Sequence, residues 1–338
     1  MFSDLLPAFG SPLGRARLRV EPEDFAVIEL PLVEPAGEGE HAWLWVRKRG
    51  QNTDWVAGQL ARLAGVKPRD VSYAGLKDRH AVTEQWFSVQ LPGRPDPDWN
   101  ALEAEGVTVV EARRHSRKLR RGALRGNRFR LRLRDFDGDA GALMERAALL
   151  NVRGLPNYFG AQRFGRDGGN LEAARRMFAD PRRRLPRQKR GLYLSAARSF
   201  LFNRVLAERV RRGDWDRCLA GDVMQLDGRS ALFAAPECEP ELETRLKALE
   251  VHPTGPLWGR GESLCSGECA RLEADCLAAE AELREGLERA GPELDRRALR
   301  VRVEGLQVTP EGSDLWLEFD LPAGSYATVL LDQLVEWA

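Results

Sequence analysis

The chain has 338 residues, of which 43% are hydrophobic and 30% charged, and its formal net charge is +1. This length suggests about two domains, and the composition is that of a soluble globular protein. No apolar run approaches the ~18 residues of a membrane helix, and the N-terminus lacks the basic and apolar parts of a signal peptide. We therefore expect a cytoplasmic protein that does not cross a membrane.

The first ~150 residues are predicted to form mainly β-strands. Alternating or apolar residues favour strands near residues 18–27, 42–46, 107–110 and 129–133. Thr53 is predicted to cap a helix whose apolar face includes Val56, Leu60 and Leu63.

One carboxylate, Asp78, lies in a short loop between Lys77 and Arg79. Residues 71–73 read as a strand that enters this loop, and the alternation of residues 85–89 indicates a strand that leaves it. A carboxylate between cations stays ionised at neutral pH, as a nucleophile or general base on a rigid scaffold requires. The alternative is a surface turn whose charges are solvated.

The basic residues are unevenly distributed along the chain. Residues 113–134 contain eleven Lys and Arg and no acidic residue, and a second basic cluster spans residues 182–190. The strand predicted at 129–133 would expose only arginines on its outer face, to water or to phosphate: Arg128, Arg130, Arg132 and Arg134. Such segregation is typical of a surface that binds a polyanion, and the alternative is two solvated charged faces.

From about residue 153 the pattern becomes helical, and alternation returns between residues 298 and 319. A strand-rich segment that stops, gives way to a helical block and then resumes suggests an inserted domain. The fold class predicted from these patterns is α+β.

The five cysteines are an odd number without zinc-binding spacing. We expect reduced, unpaired thiols and no metal site. The residues are Cys218, Cys238, Cys265, Cys269 and Cys276.

Several motifs along almost the whole chain resemble those of the tRNA pseudouridine synthase D (TruD) family, in the same order. They are residues 21–27 (EPEDFAV), 75–89 (GLKDRHAVTEQWFSV), 126–129 (GNRF), 157–165 (NYFGAQRFG), 195–203 (SAARSFLFN), 221–222 (GD) and 321–328 (LPAGSYAT). The resemblance implies a catalytic domain with a mixed, mainly antiparallel sheet and an inserted, more helical TRUD domain. The expected boundaries are residues 1–152 plus 302–338 for the catalytic domain and residues 153–301 for the insert.

The resemblance also implies an activity, the isomerisation of uridine to pseudouridine at uridine-13 in the D-arm of tRNA. Asp78 would then be the catalytic carboxylate, attacking C1′ or the uracil ring, or acting as a base through a glycal-like intermediate. The expected partner is tRNA, bound by a monomer without a metal or other cofactor. The chain has no P-loop or dinucleotide-binding motif, which is consistent with this expectation.

The same resemblance points to further site residues. Arg19 matches the family's basic residue near the catalytic Asp, where it would orient the carboxylate, although Lys77 could serve instead. Phe25, Asn127 and Phe129 match the uridine pocket, in which an aromatic ring stacks on the base and an amide binds its polar edge. Core packing is the alternative for the two Phe residues and an ordinary turn for Asn127. Tyr326 stands where family members can carry Phe; either ring can stack, but the hydroxyl needs a hydrogen-bond partner.

Two other functions compete with this prediction. A non-catalytic RNA-binding protein would account for the basic tract but does not require the Asp78 loop. A base-excision glycosylase also uses a carboxylate and a flipped base.

Overall fold

The computed structural model of this chain describes residues 5–102, 105–180, 182 and 184–338. Its strands are β1 Gly14–Leu18, β2 Phe25–Pro31, β3 His41–Arg49, β4 Val71–Tyr73, β5 Val82–Gln90, β6 Val107–His115, β7 Leu124–Gly138, β8 Leu155–Pro156, β9 Asp222–Leu226, β10 Leu232–Ala235, β11 Val251–Leu257, β12 Asp295–Ala298, β13 Arg300–Val301, β14 Glu304–Glu311, β15 Asp314–Pro322 and β16 Glu336–Trp337. Its α-helices are α1 Thr53–Leu63, α2 Ala140–Arg153, α3 Gly169–Ala179, α4 Arg187–Arg212, α5 Pro240–Lys247, α6 Gly267–Leu277, α7 Ala281–Ala290 and α8 Ala327–Leu331. Within the described ranges, no helix is long and apolar enough to cross a membrane.

The chain divides into two compact units. The sheet unit comprises Leu13–Ala147, Glu304–Gly324 and Glu336–Ala338. The helical unit comprises Ala148–Val303 and Ser325–Val335, together with the N-terminal residues up to Pro12. The domain boundaries expected from the sequence stay a prediction, because compactness does not test independent folding.

A large mixed sheet forms the sheet unit. Its strand order is β14-β15-β7-β2-β5-β3-β6, with β1 beside β7 and β16, and β4 beside β5. The pairs β2–β5 and β1–β16 are parallel and the others are antiparallel. The predicted α+β class with a mainly antiparallel sheet is therefore confirmed.

The alternation predicted near residue 129 places the apolar side of β7 in a core. Phe129, Leu131 and Leu133 are buried, and Phe129 and Leu131 pair in register with Phe319 and Leu317 of β15. Burying a side chain of this size contributes roughly 1.5–3 kcal/mol. These residues join β7 to a strand almost two hundred positions later in the chain.

Helix α1 packs on the same sheet through the apolar face that the sequence predicted. Val56 and Leu60 are fully buried in a cluster with Leu44 of β3 and Phe87 of β5. The predicted capping role of Thr53 is wrong. The N-cap residue is Asn52, and the Thr53 hydroxyl is bonded to residues outside the helix.

The helical unit is built around α4, which packs with α3, α6 and α7 on a shared apolar core. Gly286 allows α7 to lie close to α3, since a Cβ at this position would be 2.3 Å from the ring of Phe178. A small antiparallel sheet has the order β10-β9-β11-β12, and β8 pairs with β13.

The expectation that all cysteines are unpaired is wrong for Cys218 and Cys238, which form a disulfide. The cause is the β9–β10 hairpin, in which Asp222 pairs with Ala235. This register brings the residues just before β9 and just after β10 together, a proximity that the spacing of cysteines along the chain does not indicate. Cys265, Cys269 and Cys276 are free thiols.

Candidate active site

Asp78 lies in the loop between β4 and β5, and its carboxylate has two partners. Oδ1 accepts a hydrogen bond from the backbone N–H of His80 at 3.0 Å, and Oδ2 is 2.9 Å from Nη2 of Arg19. The Asp78 and Arg19 side chains are 28% and 30% exposed. The carboxylate is therefore held in one orientation while a substrate can still reach it.

Arg19 adopts a backbone conformation that arginine rarely takes. Its φ is +58°, in the left-handed region that costs a side-chain-bearing residue about 1–2 kcal/mol. Its guanidinium carbon lies 4.0 Å from the centroid of the Phe25 ring, so one side chain stacks on the aromatic ring and also contacts Asp78. A strained residue at such a position is typical of a functional site.

Lys77 does not take the place of Arg19. Its Nζ lies 3.2 Å from Oε2 of Glu29 and 2.5 Å from Oδ1 of Asn127. The Lys77 and Glu29 side chains are only 5% and 1% exposed. Burial raises the pKa of Glu29 and lowers the pKa of Lys77, and in each case the partner's charge opposes the shift. The sequence did not decide whether Arg19 or Lys77 partners Asp78. In the structure Arg19 contacts the Asp78 carboxylate, and Lys77 forms a buried pair with Glu29.

Side chains from three elements hold the main chain of this loop. Gln85 of β5 donates to the carbonyl of Gly75 at 3.0 Å, and the N–H of Lys77 donates to the Thr53 hydroxyl at 3.0 Å. Lys48 of β3 donates from Nζ to the carbonyl of Asp78 at 2.8 Å. The loop therefore has a fixed backbone although it lacks regular secondary structure.

The predicted pocket aromatics are mostly buried among themselves. Phe25 meets Phe129 edge-on at 6.3 Å, and Phe129 stacks on Phe319 at 5.3 Å. Phe25 and Phe129 are 4% and 7% exposed, so core packing, the alternative considered from the sequence, accounts for most of their surface. Asn127 is half-buried and lies opposite Glu29 across β2 and β7. The sheet unit thus brings Arg19, Phe25, Lys77, Asp78, Asn127 and Phe129 together.

Tyr326 belongs to the helical unit and directly precedes α8. Its hydroxyl accepts a hydrogen bond from Nε of Arg163 at 3.2 Å, and its ring meets Phe159 edge-on at 6.3 Å. The hydroxyl that distinguishes this residue from Phe therefore has a partner.

The basic tract separates into two parts with different environments. On β7 the four arginines predicted on the outer face are exposed or half-buried, and each of them is also ion-paired: Arg128 with Asp320, Arg130 with Glu318, Arg132 with Asp314 and Arg134 with Asp24. The pairing of β7 with β15 places Asp314, Glu318 and Asp320 beside the basic row. Asp24, the partner of Arg134, instead directly precedes β2.

The preceding segment, residues 116–123 between β6 and β7, is termed here the basic loop. Its exposed cations make no ion pair within the part of the chain that the structure describes: Arg117, Lys118, Arg120 and Arg121. Leu119 is buried and anchors the loop, since its N–H donates to Ser88 and its carbonyl accepts from Ser72. In the second basic cluster, Arg183 lies outside the described residues.

Sequence reasoning missed Glu29 and Lys48. Both continue a period-two apolar row: Glu29 follows Phe25 and Val27 on β2, and Lys48 follows Leu44 and Val46 on β3. The alternation could have predicted that both charges point inward.

Groups that could hold a metal are found in the helical unit. Two thiols and a carboxylate, those of Cys265, Cys269 and Glu273, lie within 4.8 Å of one another, but Arg296 already binds the carboxylate. The other group includes Cys218 and Cys238, whose sulfur atoms form the disulfide. Among the described residues neither group includes Asp78 or its neighbours.

Comparison with known proteins identifies the family. The model of the family "tRNA pseudouridine synthase D (TruD)" matches residues 10–178 and 169–334. The tRNA pseudouridine synthase D of Methylococcus capsulatus is 55% identical over 99% of this chain and 95% of its own length. That of Nitrosococcus oceani is 50% identical over 96% and 91%. A solved structure, a putative tRNA pseudouridine synthase D from Methanosarcina mazei, shares the fold with a TM-score of 0.76 at 22% identity, covering 98% of this chain and 95% of that one. A matching family model and relatives that are at least 50% identical along almost the full length lead to one conclusion: the chain belongs to the tRNA pseudouridine synthase D (TruD) family.

Proposed function

We propose that this protein is a tRNA pseudouridine synthase that isomerises uridine-13 in the D-arm, with Asp78 as its catalytic carboxylate. Membership of the family supports the activity and the tRNA substrate. The position of the target uridine rests on the motif resemblance alone.

The reaction needs one carboxylate and no net change in composition. The N1–C1′ bond of uridine breaks, the uracil turns, and a C5–C1′ bond forms. The hydrogen of C5 leaves to solvent and N1 gains a proton. The bond that breaks is glycosidic, and carboxylates serve as nucleophiles at such bonds.

The observation that carries this proposal is the contact of Asp78 with Arg19. The carboxylate is oriented from both sides, by Arg19 and by the N–H of His80, and remains partly exposed. A guanidinium that both stacks on Phe25 and binds Asp78 links the reacting group to the aromatic wall of the proposed uridine pocket. A binding protein would have no need for this preorganisation.

In the proposed pocket, Phe25 and Phe129 contact the flipped base, Asn127 binds its polar edge and Lys77 orients Asn127. Tyr326 would stack on the substrate. The basic loop would bind phosphates of the tRNA, because its cations are exposed and make no ion pair with the acids that the structure describes.

We also propose the discontinuous domain arrangement expected from the sequence, residues 1–152 with 302–338 around an insert at 153–301. The pairing of β15 along β7 supports it. A fragment of residues 1–152 should aggregate, because β7 would lack its neighbour and expose a sheet edge. Light scattering of the purified fragment tests this, and a soluble, cooperatively unfolding fragment would contradict it.

The proposed activity is tested with tRNA that carries tritium at C5 of uridine. We expect the protein to release tritium without losing the base. Free uracil and an abasic site would instead indicate a glycosylase, and binding without release of tritium would indicate a non-catalytic RNA-binding protein. A single substituted tRNA, with cytidine at position 13, serves as the control for the target position.

A further inference from the structure

Lys48 lies on the inward face of β3, where the preceding residues are apolar. Ala42, Leu44 and Val46 form the inward face of β3 and belong to the core, and Lys48 is the next residue on that face. It is 0% exposed. Burying an ammonium is costly unless a specific partner compensates for the lost water.

The partner of this ammonium is the main chain of the catalytic loop. Nζ donates to the carbonyl oxygen of Asp78 at 2.8 Å. Lys48 makes no ion pair with a carboxylate in the described portion of the chain. Its charge is therefore not cancelled by direct contact, and it acts on the loop that carries Asp78.

Two other side chains that bind the main chain of the loop are neutral. Gln85 binds the carbonyl of Gly75, and Thr53 accepts from the N–H of Lys77. Lys48, by contrast, is charged, and it binds the carbonyl of the reacting residue itself. Asp78 thus has a cation on each side, with Arg19 at its carboxylate and Lys48 at its main chain.

We propose that Lys48 is a positioning residue for the reaction: its ammonium fixes the main chain of Asp78 and thereby the direction of the carboxylate. This inference rests on the proposed function. It adds a residue to the site that does not touch the substrate and acts through Asp78.

The protonation state of Lys48 makes the role measurable. Burial lowers the pKa of Lys48 to about 8, the charge of Asp78 opposes this shift and the charge of Lys77 adds to it. The strands on either side present no charge at this point, since Lys48 lies opposite Thr83 of β5 and Val107 of β6. A neutral amine donates a weaker hydrogen bond than an ammonium, so the reaction rate should fall above pH ~8.

Stability should change in the opposite direction over the same range. The folded pKa of Lys48 is below its ordinary value of 10.5, so the unfolded chain binds more protons between these two pKa values. The contribution of Lys48 to stability therefore rises with pH from about 8 to about 10.5. A fall in rate in this window is thus not explained by unfolding through this group.

The experiment measures single-turnover tritium release by saturating enzyme between about pH 6 and about pH 10, a range that includes the titration of a lysine with a lowered pKa. The variants are Lys48→Met and Lys48→Arg. The control is Arg47→Met, which removes a cation from the exposed face of the same strand. The tRNA dissociation constant and the thermal midpoint are measured for each protein.

We expect Lys48→Met to reduce the rate about tenfold or more, as for the loss of a charge-assisted hydrogen bond, with tRNA affinity changed by less than about twofold. Its rate should no longer fall near pH 8. Lys48→Arg, which keeps the charge, should recover part of the rate and also lack this fall. Arg47→Met should retain the wild-type rate and pH profile. The thermal midpoint of Lys48→Met should not decrease, because a buried charge is removed.

A rate for Lys48→Met within about threefold of the wild type, or an unchanged fall near pH 8 in this variant, overturns the proposal, since the loss expected for the hydrogen bond is larger. An Asp78→Asn variant that is inactive in the same assay shows that the proposed function then still stands. If wild-type protein releases no tritium, the proposed function itself fails. The two failures are therefore distinguishable.

Discussion

Two carboxylates of the sheet unit, Asp78 and Glu29, each pair with a cation, and they differ in exposure. The pair of Asp78 with Arg19 is about 30% exposed at both side chains, whereas Glu29 and Lys77 are almost fully buried. Burial raises the pKa of Glu29, since its charged form loses hydration. The accessible carboxylate is suited to reaction with a substrate, and the buried one is suited to holding the loop in place.

The same difference divides the arginines of the basic tract. Arg128, Arg130 and Arg132 of β7 are paired with acids of β15, whereas the cations of the basic loop make no ion pair with any residue that the structure describes. Both parts are rich in basic residues in the sequence, but their tertiary partners differ. We therefore expect the accessible or unpaired charged groups to determine reaction and tRNA binding, and the ion-paired groups to determine stability.

The largest effect is expected for Asp78→Asn, which removes the charge and preserves the shape. Each route considered for Asp78 requires a carboxylate, so tritium release should fall at least about a hundredfold. Affinity for tRNA and the thermal midpoint should stay close to wild type. Asp54→Asn is the control carboxylate and should retain substantial activity. Turnover by Asp78→Asn above about a hundredth of the wild-type rate would contradict the catalytic assignment.

Glu29→Gln should lower stability, in contrast to Asp78→Asn, which should lower activity. Removing one partner of a buried ion pair leaves Lys77 uncompensated and should cost about 3–5 kcal/mol of unfolding free energy. Urea denaturation followed by circular dichroism measures this cost. An unfolding free energy within about 1 kcal/mol of wild type would show that the Glu29–Lys77 pair contributes no more to stability than an exposed ion pair does.

The third comparison uses the two parts of the basic tract. Replacing both Arg117 and Arg120 by Ala should lower the slope of log affinity against log salt by about 2, one unit for each lost phosphate contact. The matched double variant, Arg128→Ala with Arg130→Ala, removes two cations that are already paired with Asp320 and Glu318 and should leave the slope unchanged. Filter binding at several salt concentrations measures both slopes. Equal slopes for the two variants would show that the basic loop binds phosphate no more than the ion-paired arginines of β7 do.

The smallest net effect is expected when both partners of the buried pair are replaced together. Glu29→Leu with Lys77→Met removes two buried charges and keeps the volume, so stability should return to within about 2 kcal/mol of wild type. Denaturation beside the Glu29→Gln variant measures the recovery. A double variant as unstable as Glu29→Gln would indicate that the bonds of the pair to Trp86 and Asn127 matter more than its charges.

The α+β class, the family and the strands near Asp78 could be predicted from the sequence. Alternation locates β5 and β7, and the motif residues 75–89 identify the loop between two strands. The capping role of Thr53 was wrong because a threonine hydroxyl at a helix start has another available partner in the folded loop. The roles of all the proposed site residues stay predictions: Asp78, Arg19, Phe25, Asn127, Phe129, Tyr326 and Lys77.

By itself the sequence determined the fold class, through the period of its apolar residues, and the candidate carboxylate, through the motif around Asp78. The tertiary structure decided which cation meets which carboxylate. The charged residues around the loop are distant in the chain, and composition does not specify where their side chains point: Arg19, Glu29, Lys48 and Lys77. Only the register of β2, β3, β5 and β7 brings them together. Strand pairing also brings Arg128, Arg130 and Arg132 of β7 next to acids of β15, and it brings Cys218 next to Cys238. These contacts depend on the pairing between strands, which charge runs and residue spacing do not encode.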